Sequence, residues 1–274
     1  MSEPEPAPET SAIAGESLRV RYDPRLPAVL DGVTLYIPSG RITALVGPNG
    51  SGKSTLLKTL ARQLSPEAGR VEMNGRDLRS LPARELARSL GILFQEHVAP
   101  GDLTVEELVR HGRYPHSGWF SSPTPEDAEA VEEALRLTGM EALRQRPVGQ
   151  LSGGQRQLAW VAMALAQQPR LLFLDEPTTF LDLAHQFELM DLLQHLKRTT
   201  GMTLVVVLHD LNLAARYADH LVVLREGRIV AEGPPAELLT PDLLRSVFEI
   251  EARLLRDDAG WLHCLPMGKA RDHE

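Results

Sequence analysis

A glycine-rich loop between a predicted strand and a predicted helix constrains this chain more than any other feature. Residues 47–55 read GPNGSGKST and fit the pattern Gly-x4-Gly-Lys-Ser/Thr. An apolar segment at residues 41–46 precedes the loop, and leucines at helical spacing follow it. Glycines let successive N–H groups turn inward, and the start of the helix adds positive potential. The loop therefore predicts a phosphate-binding site at the end of a buried strand.

Two side chains of this loop have expected roles in binding a nucleoside triphosphate. Lys53 can reach the β- and γ-phosphates, and the Ser54 hydroxyl can ligate Mg²⁺. The alternative, a glycine turn with an incidental lysine, leaves the flanking strand and helix unexplained. The predicted cradle comprises Gly47, Pro48, Asn49, Gly50, Ser51, Gly52, Lys53, Ser54 and Thr55.

A pair of carboxylates ends a second apolar run. Residues 171–174 read LLFL and are followed by Asp175, Glu176 and Pro177. The carboxyl ends of parallel strands are where nucleotides bind in α/β sheets. We expect Asp175 to hold Mg²⁺, directly or through water, and Glu176 to polarise the attacking water. The alternative is that Asp175 and Glu176 only form the polar end of the strand, where Pro177 turns the chain.

The order of predicted elements indicates an α/β fold. Continuous apolar runs at residues 90–94, 171–174 and 204–208 are typical of parallel strands covered on both faces. Residues 97–150 lack a strand pattern and contain two capped helix starts, at Thr104 and Thr124, so we expect an inserted helical subdomain. Other expected elements are a hairpin at 221–231, a helix opening at Thr240-Pro241, and a helix at 156–168.

Composition excludes several classes of protein. The chain of 274 residues has 29 basic and 37 acidic side chains, and its pI near 5.6 argues against a nucleic-acid scaffold. Residues 1–16 hold four Glu, three Pro and no basic residue, so we expect a disordered tail there. The apolar runs are strand-sized, the start lacks a signal-peptide pattern, and Cys264 is alone, so we expect a cytosolic protein without disulfides.

A second helix start has the character of an anion site. Leu151 is followed by Ser152, Gly153, Gly154 and Gln155, in which Ser152 and Gln155 form a capping box. Capping alone does not require two glycines, whereas free N–H groups at an unencumbered helix start attract anions. One complete phosphate loop plus this second helix start suggests that two chains share each nucleotide.

These motifs, in this order, resemble the nucleotide-binding subunits of ATP-binding cassette (ABC) transporters over residues 17–265. The order is the phosphate loop, Gln95, LSGGQ at 151–155, LDEP at 174–177, Asp182 and His209. The resemblance implies an α/β P-loop NTPase core with a mostly parallel sheet and an N-terminal antiparallel β subdomain. It places the core in residues 17–96 and 160–250, the helical subdomain at about 97–159, and a C-terminal tail at 266–274.

The resemblance also implies roles for individual residues. Tyr22 matches the aromatic residue that stacks on adenine, with a cross-strand tyrosine as the alternative. Gln95 matches the residue that contacts Mg²⁺ and senses the γ-phosphate, and His209 matches the switch histidine at the γ-phosphate. Asp182 matches the residue that communicates across the dimer. Other histidines, including His185, lack metal-ligand spacing, and we expect them to be structural.

Four further segments are similar to those of the ATPases of ferric-siderophore importers, at residues 112–115, 178–186, 207–212 and 260–268. The ATPases of haem and cobalamin importers share much of this sequence, so these two importers stay open as alternatives. The resemblance implies ATP and Mg²⁺ as cofactors and a head-to-tail homodimer on the cytoplasmic face of the cell membrane. It implies two transmembrane permease subunits, contacted near residues 95–120, and an external substrate-binding protein as partners.

Other ATPases remain as alternatives. A small-molecule P-loop kinase shares residues 47–55 but has no use for LSGGQ. A DNA-repair or chromosome-structuring ATPase carries a coiled-coil insertion or a basic face, which this sequence lacks. A nucleotide-sensing module without hydrolysis, or a non-transport ABC ATPase, is the remaining alternative.

Overall fold

The computed structural model describes residues 11–95, 102–116, 122, 124–179 and 181–270. The strands are β1 Ser11–Val20, β2 Leu30–Pro38, β3 Ile42–Val46, β4 Ala68–Met73, β5 Arg76–Asp77, β6 Leu90–Leu93, β7 Leu171–Leu174, β8 Thr203–Val207, β9 His220–Arg225, β10 Arg228–Gly233, β11 Ile250–Arg256 and β12 Leu262–Lys269. The α-helices are α1 Lys53–Leu60, α2 Ala83–Ser89, α3 Val105–His111, α4 Pro125–Leu137, α5 Gly153–Ala166, α6 Leu183–Thr200, α7 Leu211–Tyr217, α8 Pro235–Leu238 and α9 Pro241–Phe248.

A mostly parallel sheet forms the centre of the fold. Its strand order is β10-β9-β3-β8-β7-β6, and only β10 pairs antiparallel with its neighbour. Strands β3, β7 and β8 are buried at every position, as the continuous apolar runs predicted. The carboxyl ends of β3, β6, β7 and β8 therefore meet at one edge, where the predicted phosphate loop, Gln95, the two carboxylates and His209 follow.

The predicted antiparallel β subdomain is present as a four-stranded sheet of order β2-β1-β4-β5. The predicted boundary of the disordered tail is wrong, because residues 11–16 belong to β1. Ile13 lies between Ile37 and Met73 and is fully buried, so pairing on both sides stabilises this segment despite the acidic residues around it. The rest of that predicted tail, residues 1–10, lies outside the described residues.

The helical region consists of α3, α4 and the first part of α5. The predicted capping boxes at Thr104 and Thr124 are both formed, with Glu107 and Asp127 as their partners. Both helices pack on α5, and Val131, Leu135 and Leu108 lie in the shared core. Helix α5 runs unbroken past residue 159, so the boundary expected there does not coincide with a break in secondary structure.

The last two described strands, β11 and β12, form a hairpin. The predicted hairpin β9–β10 and the helix beginning at Pro241 are confirmed. The predicted tail from residue 266 is wrong for residues 266–269, which lie in β12 and pair with β11. This hairpin packs on α7, where the side chain of Asn212 bonds both backbone groups of Cys264. Within the described ranges, no helix has the length and apolar character needed to span a membrane.

One buried ion pair joins the helical region to the core. Arg113 Nε donates to Asp127 Oδ1 at 2.8 Å, and both side chains are 6% exposed. Arg113 Nη1 also donates to the carbonyl oxygen of Ala166 at 2.7 Å and to Gln168 Oε1 at 3.0 Å. The guanidinium therefore ties the start of α4 to the end of α5.

Arg113→Ala should lower the free energy of unfolding by about 3–5 kcal/mol, because it leaves a buried carboxylate without its cation. The control is Arg136→Ala, which removes an exposed pair with Glu133 and should cost at most about 1 kcal/mol. Urea denaturation measures both. Equal losses in the two variants would contradict the structural role of the buried pair.

Candidate nucleotide site

A cavity of about 550 Å³ opens at the carboxyl edge of the central sheet. It joins the loop after β3 to residues that follow β6, β7 and β8, which is where the sequence predicted a nucleotide. Its lining residues are Val29, Asn49, Gly50, Gly52, Lys53, Ser54, Thr55, Gln95, Glu176, Thr179 and His209.

The backbone of the loop requires its glycines. Gly52 is the N-cap of α1 at φ 102°, and no side chain caps the helix there, so the first-turn N–H groups remain available to an anion. A methyl group at Gly47 would lie 2.1 Å from the Leu224 carbonyl oxygen. Ser51 Oγ is buried without a hydrogen-bond partner in the described part of the chain, which leaves it free for a ligand. The loop therefore fits a phosphate chain.

Lys53 lies inside this loop. Its ammonium donates to the carbonyl oxygens of Gly47 and Pro48, each at 2.9 Å, and the residue is 5% exposed. Burial lowers the pKa of Lys53, and the negative charges of Glu176 and Asp175 oppose this shift. The buried ammonium is thus a charge that an anionic phosphate would stabilise further.

Ser54 and Asp175 form the oxygen pair predicted for Mg²⁺. Ser54 Oγ donates to Asp175 Oδ1 at 2.9 Å, although the two residues are far apart in sequence. Burial raises the pKa of Asp175, and the hydrogen bond from Ser54 opposes this shift. A hydroxyl and a carboxylate are hard oxygen ligands of the kind that Mg²⁺ binds, so these residues fit the ion.

Three side chains hold the carboxylate of Glu176. His209 Nε2 lies 2.6 Å from Oε1, while Gln95 Nε2 and Thr179 Oγ1 donate to Oε2 at 2.8 and 3.3 Å. Glu176 itself has a left-handed backbone at φ 52°, an uncommon conformation for a residue with a side chain. The structure therefore brings the predicted base, Gln95 and His209 into direct contact from the ends of three strands.

Tyr22 lies at the margin of this site. Its hydroxyl is 3.1 Å from Thr55 Oγ1, and 60% of the residue is exposed. Because β1 ends at Val20, the alternative of a cross-strand tyrosine is wrong. Stacking on adenine stays a prediction.

The second predicted anion site is apart from this cavity. Ser152 caps α5 and forms the predicted box with Gln155, and Asp182 caps α6. None of Ser152, Gly153, Gly154, Gln155 or Asp182 belongs to the residues that line the cavity. A shared nucleotide would therefore need a second chain, and that arrangement stays a prediction.

Sequence reasoning missed two residues of this site, Thr179 and Val29. Thr179 closes a turn with its backbone N–H on the Glu176 carbonyl oxygen, so a polar residue three positions after the carboxylate was the available signal. Val29 lines the cavity from the N-terminal sheet, and nothing in the local pattern points to it. His185, expected to be structural, lies against Gly154.

Comparisons with known proteins agree with this geometry. The family model described as ABC transporter matches residues 30–179. The ferric enterobactin transport ATP-binding protein FepC of Escherichia coli (strain K12) is 46% identical over 94% of each chain. The iron(3+)-hydroxamate import ATP-binding protein FhuC of Bacillus subtilis (strain 168) is 44% identical over 90% of this chain and 91% of the relative. The chain therefore belongs to the ABC transporter family and, within it, to the ATP-binding subunits, which are ATPases.

Solved structures give the same result. An inward-facing ABC transporter assigned to the metal-chelate type has a TM-score of 0.81 at 29% identity, over 94% of this chain and 98% of the other. The dimeric ABC transporter cassette MJ0796 has a TM-score of 0.71 at 29% identity, over 81% of this chain and 98% of the other. Fold and motifs therefore point to the same family.

Asp175→Asn should stabilise the protein at neutral pH. Burial raises the pKa of Asp175, so the carboxylate destabilises the folded state increasingly as the pH rises from its unfolded pKa through the raised folded value. Asn carries no charge, and its Oδ1 can still accept from Ser54. Chemical denaturation at pH 7 should therefore show the variant to be more stable than the wild type.

The pH dependence provides the control. Below about pH 3 the wild-type Asp175 is protonated in both states, so the difference in stability should vanish there. The exposed substitution Glu129→Gln should show no such pH-dependent gain. A gain from Asp175→Asn that is independent of pH would contradict the assigned cause.

Proposed function

We propose that this chain is the ATP-hydrolysing subunit of an importer of ferric-siderophore complexes. Two copies act head to tail with two transmembrane permease subunits on the cytoplasmic face of the cell membrane. A substrate-binding protein outside the membrane delivers the cargo. The observation that carries the ATPase role is Glu176, held by Gln95 and His209 beside Lys53 and the Ser54–Asp175 pair.

The cargo is supported by relatives rather than by the site. FepC is named for ferric enterobactin, FhuC for iron(3+)-hydroxamate, and CbrD of Dickeya dadantii (strain 3937), 45% identical over 96% of this chain and 98% of the relative, for achromobactin. All three are transport or import ATP-binding proteins. Haem or cobalamin import is the second candidate.

The residues of this chain support hydrolysis of ATP by water. The loop N–H groups and Lys53 bind the phosphates, and Ser54 and Asp175 would hold Mg²⁺, which would neutralise charge on the phosphate oxygens. Glu176 accepts a proton from the attacking water, since its carboxylate faces the cavity. Gln95 and His209 orient Glu176, so a change at either residue alters the position of the base.

The dimer completes the nucleotide site. Residues 47–55 of one chain bind the phosphates, and the start of α5 in the other chain supplies free N–H groups to the same nucleotide. The cassette MJ0796, a solved structure similar to this chain, is dimeric, which supports a pair of copies. Closure of the pair, followed by hydrolysis and reopening, moves the permease.

Glu176→Gln should bind ATP but hydrolyse it about 10²- to 10⁴-fold more slowly, because the amide cannot accept the proton from water. Phosphate release without any acceptor substrate measures the rate and also excludes a kinase. The variant should accumulate as an ATP-dependent dimer on size-exclusion chromatography. Glu237→Gln, an exposed control, should hydrolyse like the wild type; normal turnover by Glu176→Gln would refute the assigned base.

Cells lacking this chain should fail to take up radio-iron delivered as a ferric siderophore. The wild-type chain should restore uptake, and Glu176→Gln should not. Haem and cobalamin serve as comparison cargoes in the same cells. Loss of cobalamin or haem uptake with normal siderophore uptake would replace the proposed cargo by the second candidate.

A further inference from the structure

His185 joins the first turns of two helices. It is the third residue of α6, and Asp182, the N-cap of that helix, accepts two hydrogen bonds from it. The backbone N–H of His185 donates to Asp182 Oδ1 at 2.9 Å, and Nδ1 lies 2.7 Å from the same oxygen. The pair raises the pKa of His185 and lowers that of Asp182. Two bonds to one carboxylate oxygen fix the direction of the imidazole ring.

The fixed ring lies against Gly154 in the first turn of α5. A methyl group added to Gly154 would lie 2.5 Å from His185 Cδ2 and 2.7 Å from Cγ, distances that real side chains do not show. The glycine at this position therefore leaves room for the imidazole. Ser152 and Gly153, immediately before it, are exposed, as is Asp182 beside the ring. The contact thus connects two helix starts that both face outward.

The next residue connects the same helix to the loop that follows Glu176. Gln186 Nε2 donates to the carbonyl oxygen of Leu181 at 3.0 Å. In the same loop, Thr179 contacts the carbonyl and the carboxylate of Glu176. The first turn of α6 therefore holds the loop that carries Glu176 on one side and the start of α5 on the other.

We propose that His185 is a positioning residue that couples the Glu176 loop to the start of α5. This inference rests on the proposed function, in which Glu176 serves the nucleotide of its own chain and α5 serves that of the partner. A shift of the loop at one nucleotide then moves the α5 helix start at the other. Coupling through one imidazole–glycine contact makes the two ATP sites of the dimer cooperative.

His185→Ala should reduce this cooperativity without weakening nucleotide binding by the loop of the same chain. In ATPase measurements over a range of ATP concentrations, the Hill coefficient should fall toward 1 and kcat should fall about 2- to 30-fold. The affinity of the monomeric chain for ATP should not change, because no cavity residue is altered. His185→Asn, whose amide can still donate to Asp182, should retain most of the cooperativity.

His195→Ala is the matched control, since His195 is an exposed histidine of the same helix. It should behave as the wild type in rate, Hill coefficient and thermal unfolding. A wild type that does not hydrolyse ATP would refute the proposed function. A cooperative wild type together with a His185→Ala variant that matches His195→Ala would refute only the role of His185.

A double-mutant cycle tests the contact itself. Gly154→Ala should abolish cooperative hydrolysis, because its methyl group collides with the fixed ring. Adding His185→Ala removes the collision, so the double variant should recover to the level of His185→Ala alone. If the losses caused by the two single substitutions instead multiply in the double variant, the contact does not couple the helices.

Discussion

The convergence of four buried parallel strands at one edge is the constraint on which the rest of the site depends. Chain segments after β3, β6, β7 and β8 supply Lys53, Gln95, Glu176 and His209 to a single cavity. Each strand is held by ladders on one or both sides and by apolar packing, so the edge is rigid while the polar residues beyond it remain accessible. Precise placement of a carboxylate and an ammonium requires this rigid support.

The same edge shows how function opposes stability. Lys53 and Asp175 are nearly fully buried, and burial disfavours the charged form of each. Elsewhere, between Arg113 and Asp127, a close ion pair offsets the desolvation of two buried charges. At the candidate nucleotide site, the charges of Lys53, Asp175 and Glu176 compensate one another only in part, so a bound phosphate would stabilise the buried ammonium of Lys53 further.

Much of the fold could be predicted because its signals are local. Capping boxes at Thr104, Thr124 and Ser152 each involve residues three positions apart, and all three are formed. Both wrong boundaries concern strands. Residues 11–16 and 266–269 are ordered by partners distant in sequence or across a hairpin, and composition alone does not reveal such pairing.

The sequence by itself determined the phosphate loop and the paired carboxylates, because each of them is a motif of adjacent residues. Only the tertiary structure decided which of them touch. It places Gln95 and His209 in contact with Glu176. It also places His185, expected to be structural, against Gly154 of another helix. The physical reason is that a spacing along the chain specifies local hydrogen bonds, whereas contacts between separate helices follow from how the whole core packs.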